Sequence, residues 1–473
     1  MTEDIDEQIA KAQAALADTR FTTYWLDSLD AIDDEPALQD NLQCDLLVVG
    51  GGFCGLWSAL QAREQNSERS VVLIEAHSVA NGASGRPAAI MSTSVMHGID
   101  NTERIFPADV AELERLGRDN MDAFRETLER YAIDCDLEWG GEMKVSIGDQ
   151  GLEAVEEEYQ LYLKYGHDAV KLDKEAVQAE IHSPIFHGGT WSKQRCGTVH
   201  PGKLVRGLQR AALGIGVRLY ENTPLLATRQ SAGGICVDTP GGTITARKVL
   251  LATNAWAAGH RHIRRRVAAI RDRIVVSEPL SDAQMQKIGW QNRQGIYDTR
   301  TQLNYMRLTA DNRILFGGRL DYFYDNDTDP AFDKTAQPFI RLVQSFYRTF
   351  PQLADDIRFA YAWSGPIGLT TRMAVHYQKY FEGNMVFAGG YSGFGVTASR
   401  FGARVGLAIL DQQDTPETRM QFAQTLPNYI PPEPFRWLGA KITMYALDTI
   451  DEKGGWRKLW VAMVQKMGFP ITM

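Results

Sequence analysis

Apolar residues recur along this chain with two different periods, and the switches between them outline its elements. The run CDLLVVG is continuously apolar over its second half, which suits a strand buried on both faces. Apolar positions at helical spacing over 55–66 and a second buried run, SVVLIEA, then predict a strand–helix–strand unit, preceded over 1–43 by a helix and a loop. From Pro107 to Ile133, Leu113, Met121, Phe124, Leu128 and Tyr131 mark the core face of a long amphipathic helix, expected to open a second region. Mixed strand and helix run to about 194. There VHPGKLVRGLQRAALGIGVRLYENTPL predicts a helix followed by a strand, and KVLLATNAW another buried strand. Alternation in RIVVSEPL, NYMRLTA and NRILFGG, within 272–320, predicts an antiparallel sheet with one wet face. A helix over 333–349 follows, and NMVFAGG returns to the first layer.

Two glycine-rich turns interrupt this pattern where a strand meets a helix. In VVGGGFCGL the spacing Gly50-x-Gly52-x-x-Gly55 ends one strand and opens a helix, and Glu75 ends the next strand. Gly50 permits the tight turn, Gly52 lets backbone amides approach a diphosphate, and Gly55 lets helix and sheet pack closely. The helix N-terminus then faces the anion, and Glu75 can accept from a ribose hydroxyl. In strand–turn–helix context the motif points to a dinucleotide, without separating NAD from FAD. The second turn, GGYSGFGVTASR at 389–400, opens another helix far along the chain. Two such turns suit one long, charged ligand gripped at both ends.

Composition narrows the partners. A chain of 473 residues, 44% hydrophobic, can bury a large core in two or three structural units. Its formal charge of −9 argues against nucleic acid. Five cysteines, Cys44, Cys54, Cys135, Cys196 and Cys236, form no CxxC pair and no cluster with histidine, so neither a metal site nor a disulfide framework is expected. The N-terminus is acidic with no leader-like apolar stretch, and no run is long enough to span a bilayer, so the expected location is the cytoplasm.

With TTYWLDSL, VVGGGFCGL, NGASGRPAA, TVHPGKLVRGL, LLATNAW, NRILFGGR and GGYSGFGV in this order, the chain resembles the D-amino-acid oxidase type of FAD-dependent oxidoreductases, and among them the gamma-glutamylputrescine oxidase-like amine oxidases. The resemblance implies a Rossmann-like FAD-binding domain of α/β type, from 1–105, 195–260 and 355–415. It implies a substrate domain of α+β type on an antiparallel sheet, from 106–194 and 261–354. Residues 416–473 form a helical tail outside it. It assigns to FAD, without a covalent link, Gly50, Gly52, Phe53, Cys54, Gly55, Glu75 and Ala76 in the first turn and strand end. It adds Ser84 and Arg86 in the loop beside the flavin, Leu225 near the adenine, and Thr253 and Asn254 at a strand end. Gly390, Gly393, Phe394, Gly395 and Val396 of the second turn complete the set, the helix there pointing its positive end at the flavin's pyrimidine carbonyls. Where the family has Asn-Gly after the loop arginine, this chain has Pro87 and Ala88.

The family oxidises a carbon–nitrogen bond and hydrolyses the resulting imine, the cofactor performing the hard step. A small primary or secondary amine is the implied substrate, with oxygen or a quinone as electron acceptor. The alternatives are a deaminating amino-acid dehydrogenase feeding a membrane quinone and a FAD-binding scaffold subunit. Candidate walls of the substrate pocket are Tyr305, Trp363, Tyr391 and Phe394. Arg307, two residues from Tyr305 and hence on the same strand face, is the candidate clamp for an anionic substrate group. His97 and His200 are further candidates. In the tail, Trp456, Leu459, Trp460, Met463, Val464 and Met467 form one apolar stripe, with Arg457, Lys458 and Lys466 off it and no acid over 454–473. That pattern suits a helix lying in an anionic membrane interface, or one packing on the protein's own body.

Overall fold

A computed structural model describes residues 5–31, 34–259 and 263–469; the end of the tail stretch, 470–473, lies outside the described residues. The continuous apolar runs pair as expected of strands with both faces covered. In the first sheet, Leu42–Val49 sits between Val71–Ile74 and Gly242–Leu251, parallel to both, with Val49 opposite Ile74 and Leu251. Arg218–Tyr220 extends the sheet beyond Val71–Ile74, and Met385–Gly389 extends it beyond Gly242–Leu251. His376–Tyr380 closes that edge antiparallel. Helices Phe53–Gln65, Pro201–Gly214 and Gly395–Leu410 contribute to the core on this sheet, and the first lies against the other two.

Helix Val110–Arg130 does not open the second region. Its Leu113, Leu116, Met121, Phe124 and Leu128 are buried in the first core, because its apolar stripe meets the helix Gly395–Leu410. The second sheet runs Phe359–Leu369, Ala268–Ser277, Ile314–Tyr322, Tyr305–Leu308, Gly295–Asp298, Glu142–Ile147, Phe186–Ser192 and Val170–Leu172. All neighbours are antiparallel except Gly295–Asp298 and Glu142–Ile147, which pair in parallel, so the sheet is mixed. Phe359–Leu369 therefore belongs to this sheet although it lies inside the stretch 355–415 assigned from sequence to the first domain. The N-terminal helix Ile5–Ala15 also joins the second unit, where Ala12, Ala15 and Leu16 pack in its core. After residue 416 the chain first fills the first core with Met420, Phe422 and Ala423. It then forms a hairpin of helices Phe435–Lys453 and Trp456–Lys466 beside strand Ile314–Tyr322.

Candidate functional site

The first glycine turn is built by close approaches that a side chain would block. Gly50 has φ +112°, and a Cβ on Gly55 would lie 1.8 Å from the Gly50 carbonyl oxygen, so the helix Phe53–Gln65 starts directly against the strand end. The Gly51 N–H donates to Glu75 Oε2 (2.6 Å), and the Phe53 N–H donates to Ser84 Oγ (2.8 Å). Ser84 thus caps the helix from a loop thirty residues on, and a Cβ on Gly52 would come within 2.9 Å of the same hydroxyl.

The second turn is tied to the first. Asn254, at the end of strand Gly242–Leu251, accepts from the Gly390 N–H (3.0 Å). Tyr391 donates to Cys54 Sγ (3.2 Å), and its hydroxyl lies where a Cβ on Gly402 would be, 2.3 Å away. Helix Gly395–Leu410 starts beside that of the first turn.

A cavity of about 970 Å³ runs from the first turn to the second sheet. Of the residues singled out from sequence, Gly50, Gly52, Phe53, Cys54, Glu75, Ala76, Ser84, Arg86, Leu225, Thr253, Asn254, Tyr305, Gly393, Phe394, Gly395 and Val396 line it. Gly55 and Gly390 do not, since each lies beneath a turn. Tyr391 and His97 do, the His97 ring 4.3 Å from that of Phe394. Burial pushes the His97 imidazole down to about 4, so it is neutral at pH 7.

Two expected residues stand elsewhere. Trp363 is buried beside Trp25 and donates from Nε1 to the Arg86 carbonyl (2.9 Å). Arg307 shares no wall with Tyr305: its guanidinium is 2% exposed and donates to the carbonyls of Val199 (2.7 Å) and Ala89 (3.1 Å). The expectation of a substrate clamp at Arg307 is thereby corrected, because a buried guanidinium must satisfy its donors and the backbone behind the cavity wall supplies the acceptors. His200 likewise serves helix entry, Nδ1 accepting from the Lys203 N–H (3.2 Å) at the start of Pro201–Gly214.

Sequence reasoning missed Asp272. It lies on strand Ala268–Ser277, lines the cavity, and accepts from the Tyr305 hydroxyl (2.5 Å). Its carboxyl is pushed up to about 6 by burial, against the pull of the Tyr305 bond and of Arg273. A signal was present: between Ile270 and Ile274, an acid occupies a position that strand alternation reserves for an apolar residue. The cavity's far end was also missed. There Asp100, Glu157, Glu158 and Lys144 enter its lining from segments with no motif of their own.

Residues 45–406 match the family described as FAD dependent oxidoreductase. The chain belongs to this family. It is 30% identical to a gamma-glutamylputrescine oxidoreductase of Escherichia coli over 413 residues, 86% of this chain and 92% of that protein. It is 28% identical to a probable oxidoreductase OrdL of Haemophilus influenzae over 391 residues, 81% and 86% of the two chains. Among solved structures, glycine oxidase from Geobacillus kaustophilus matches with a TM-score of 0.66 at 19% identity, covering 81% of this chain and 98% of that one. This family member is an FAD-dependent oxidoreductase, and its residues fit the cofactor. A helix N-terminus with a close glycine approach and a serine cap suits a diphosphate, and a second helix start lies at the other turn of the same cavity.

Proposed function

We propose that the protein oxidises the carbon–nitrogen bond of a small primary or secondary amine with non-covalently held FAD, the imine then being hydrolysed to an aldehyde or keto product. What carries this reading is one cavity that links both glycine turns to a wall of Tyr305, Phe394 and His97. FAD, when bound, supplies the two-electron acceptor. The chain's own groups do the rest. The Gly52 N–H and the Ser84 hydroxyl would hold the diphosphate, Glu75 the ribose, and the start of Gly395–Leu410 the end of the flavin that becomes negative on reduction. The aromatic wall would exclude water and fix the amine's orientation. Relatives named for gamma-glutamylputrescine and for glycine both act on amines, which supports the same class here. Attachment through Cys54 is disfavoured, because its buried thiol is pushed up to about 11.

The test is an anaerobic panel of primary and secondary amines. At least one should bleach the flavin absorbance, and acid precipitation should leave FAD in the supernatant. A panel that leaves the spectrum unchanged overturns the amine reading. Flavin in the pellet overturns the non-covalent one.

The tail favours one acceptor. No helix among the described residues is long and apolar enough to cross a membrane. The hairpin nevertheless exposes Phe435, Leu438, Tyr445, Trp456, Leu459 and Met463, and the rings of Tyr445 and Trp456 stack at 6.3 Å, so the two apolar faces adjoin. Arg457, Lys458 and Lys466 accompany them without an acid on the second helix. This supports peripheral contact with an anionic membrane surface and, through it, delivery of electrons to a quinone.

A further inference from the structure

We infer that Asp272 is the catalytic group that accepts the ammonium proton of the substrate, an inference that rests on the amine reading above. The residue stands at an irregularity of the sheet: on the side of Ile314–Tyr322 the register shifts between Arg271 and Arg273, and on the other side Asp272 faces Gly365. Such bulges re-aim a side chain next to an active site. Glycines clear the space around it. A Cβ on Gly317 would lie 2.1 Å from the Tyr305 ring, so the tyrosine can cross that strand to reach the carboxylate, and a Cβ on Gly365, opposite Asp272, would lie 2.9 Å from the stem of Arg86.

Tyr305 engages Oδ2, whereas Oδ1, although buried, has no hydrogen-bond partner. A buried acceptor in that condition is costly unless a ligand completes it. Nearby cations are otherwise engaged. Arg273 pairs with Asp321 (3.0 Å) and Arg271 with Asp333 (2.5 Å). Arg86 donates to the carbonyls of Asn81 (3.1 Å) and Ser364 (3.3 Å). Among the described residues no ion pair reaches Asp272. An arriving ammonium supplies the missing cation.

The step balances as follows. One N–H bond of R–CH2–NH3+ breaks, its proton forms an O–H bond at Oδ1, and the nitrogen keeps the electron pair. That pair becomes the second C=N bond when the carbon loses a hydrogen with its two electrons, the amine being oxidised and FAD reduced; water then hydrolyses the imine. Burial favours the transfer because it turns two charged groups into two neutral ones. The raised pKa makes Asp272 a stronger base while leaving it ionised at pH 7.

The holoenzyme tests this. With an oxidisable amine, wild-type kcat/KM should fall as pH drops below about 6, where the carboxylate takes up a proton. Asp272→Asn should lower kcat/KM about 100-fold or more and abolish that limb. Tyr305→Phe should move the limb to higher pH, since the tyrosine bond holds the pKa down. A readout independent of turnover is calorimetric binding of tert-butylamine, whose nitrogen-bearing carbon has no hydrogen to lose. Wild type should bind it about tenfold more weakly at pH 5 than at pH 7, and Asp272→Asn equally at both. FAD occupancy and melting temperature check that each variant is folded. An acid limb retained in Asp272→Asn, or a loss under twofold, overturns the role of Asp272 alone. A wild type that oxidises no amine overturns the function itself.

Discussion

Three carbonyls of the loop beside the first turn are held from behind by three buried side chains. Trp363 donates to that of Arg86, Trp25 to that of Pro87 (2.8 Å), and Arg307 to that of Ala89. The opposite side of the same loop lines the cavity. Pro87 has no N–H to anchor this segment, so its shape depends on donors from the strands and helix behind it. Burial pushes the Arg307 guanidinium down to about 10, which still leaves it charged at pH 7. Arg307→Ala should therefore destabilise the protein by about 2–3 kcal/mol, the penalty for leaving buried carbonyls without a charged donor. Its effect on kcat/KM should be the same for anionic and uncharged amines. Thermal melting and a two-substrate comparison check this, and a selective loss with the anionic amine would return Arg307 to the pocket.

At the scale of elements, the two turns act as one device because helices Phe53–Gln65 and Gly395–Leu410 pack side by side, joined by Tyr391 and Cys54. Gly55 sets the distance of the first helix from its strand. Gly55→Ala forces a Cβ into the Gly50 carbonyl, and the helix must shift. The expected cost is about 1–3 kcal/mol of overpacking, together with a lower FAD content, because the amides at the helix start move with the helix. Flavin absorbance per mole of purified protein reads the second effect, and full occupancy would show that the amides tolerate the shift. Gly402→Ala should act similarly through Tyr391, whose hydroxyl fills the space above Gly402.

Across the whole molecule, the tail both faces outward and reaches the cavity. Asp451 accepts from the backbone N–H (3.1 Å) and hydroxyl (2.5 Å) of Thr301, a lining residue, and Asp448 pairs with Arg319 (2.8 Å). Leu447 and Val464 hold the two helices together. Leu459 is 75% exposed and Met463 43%, so Leu459→Gln with Met463→Gln should leave folding and amine oxidation intact. The pair should abolish flotation with anionic liposomes at low salt, while the wild-type chain floats. If neither floats, the apolar face serves something other than a membrane.

The sequence by itself determined the strand–helix–strand unit, the glycine turns and the resemblance, because these rest on local requirements: buried parallel strands need unbroken apolar runs, and close turns need glycine. It also made Tyr305 and Phe394 recognisable as cavity residues, and the acid at position 272 was visible as a break in alternation. The sides of the protein on which helix Val110–Arg130 and strand Phe359–Leu369 pack were decided only in three dimensions, since an apolar stripe states that a face is buried and not against what. The same holds for Arg307 and Trp363, whose residue types fit a pocket and whose partners include backbone carbonyls of a loop more than two hundred residues away. Asp272 gained its character in the fold as well: the bulge, the flanking glycines and the Tyr305 bond come from separate strands, and only their meeting buries a carboxylate with one oxygen left to accept.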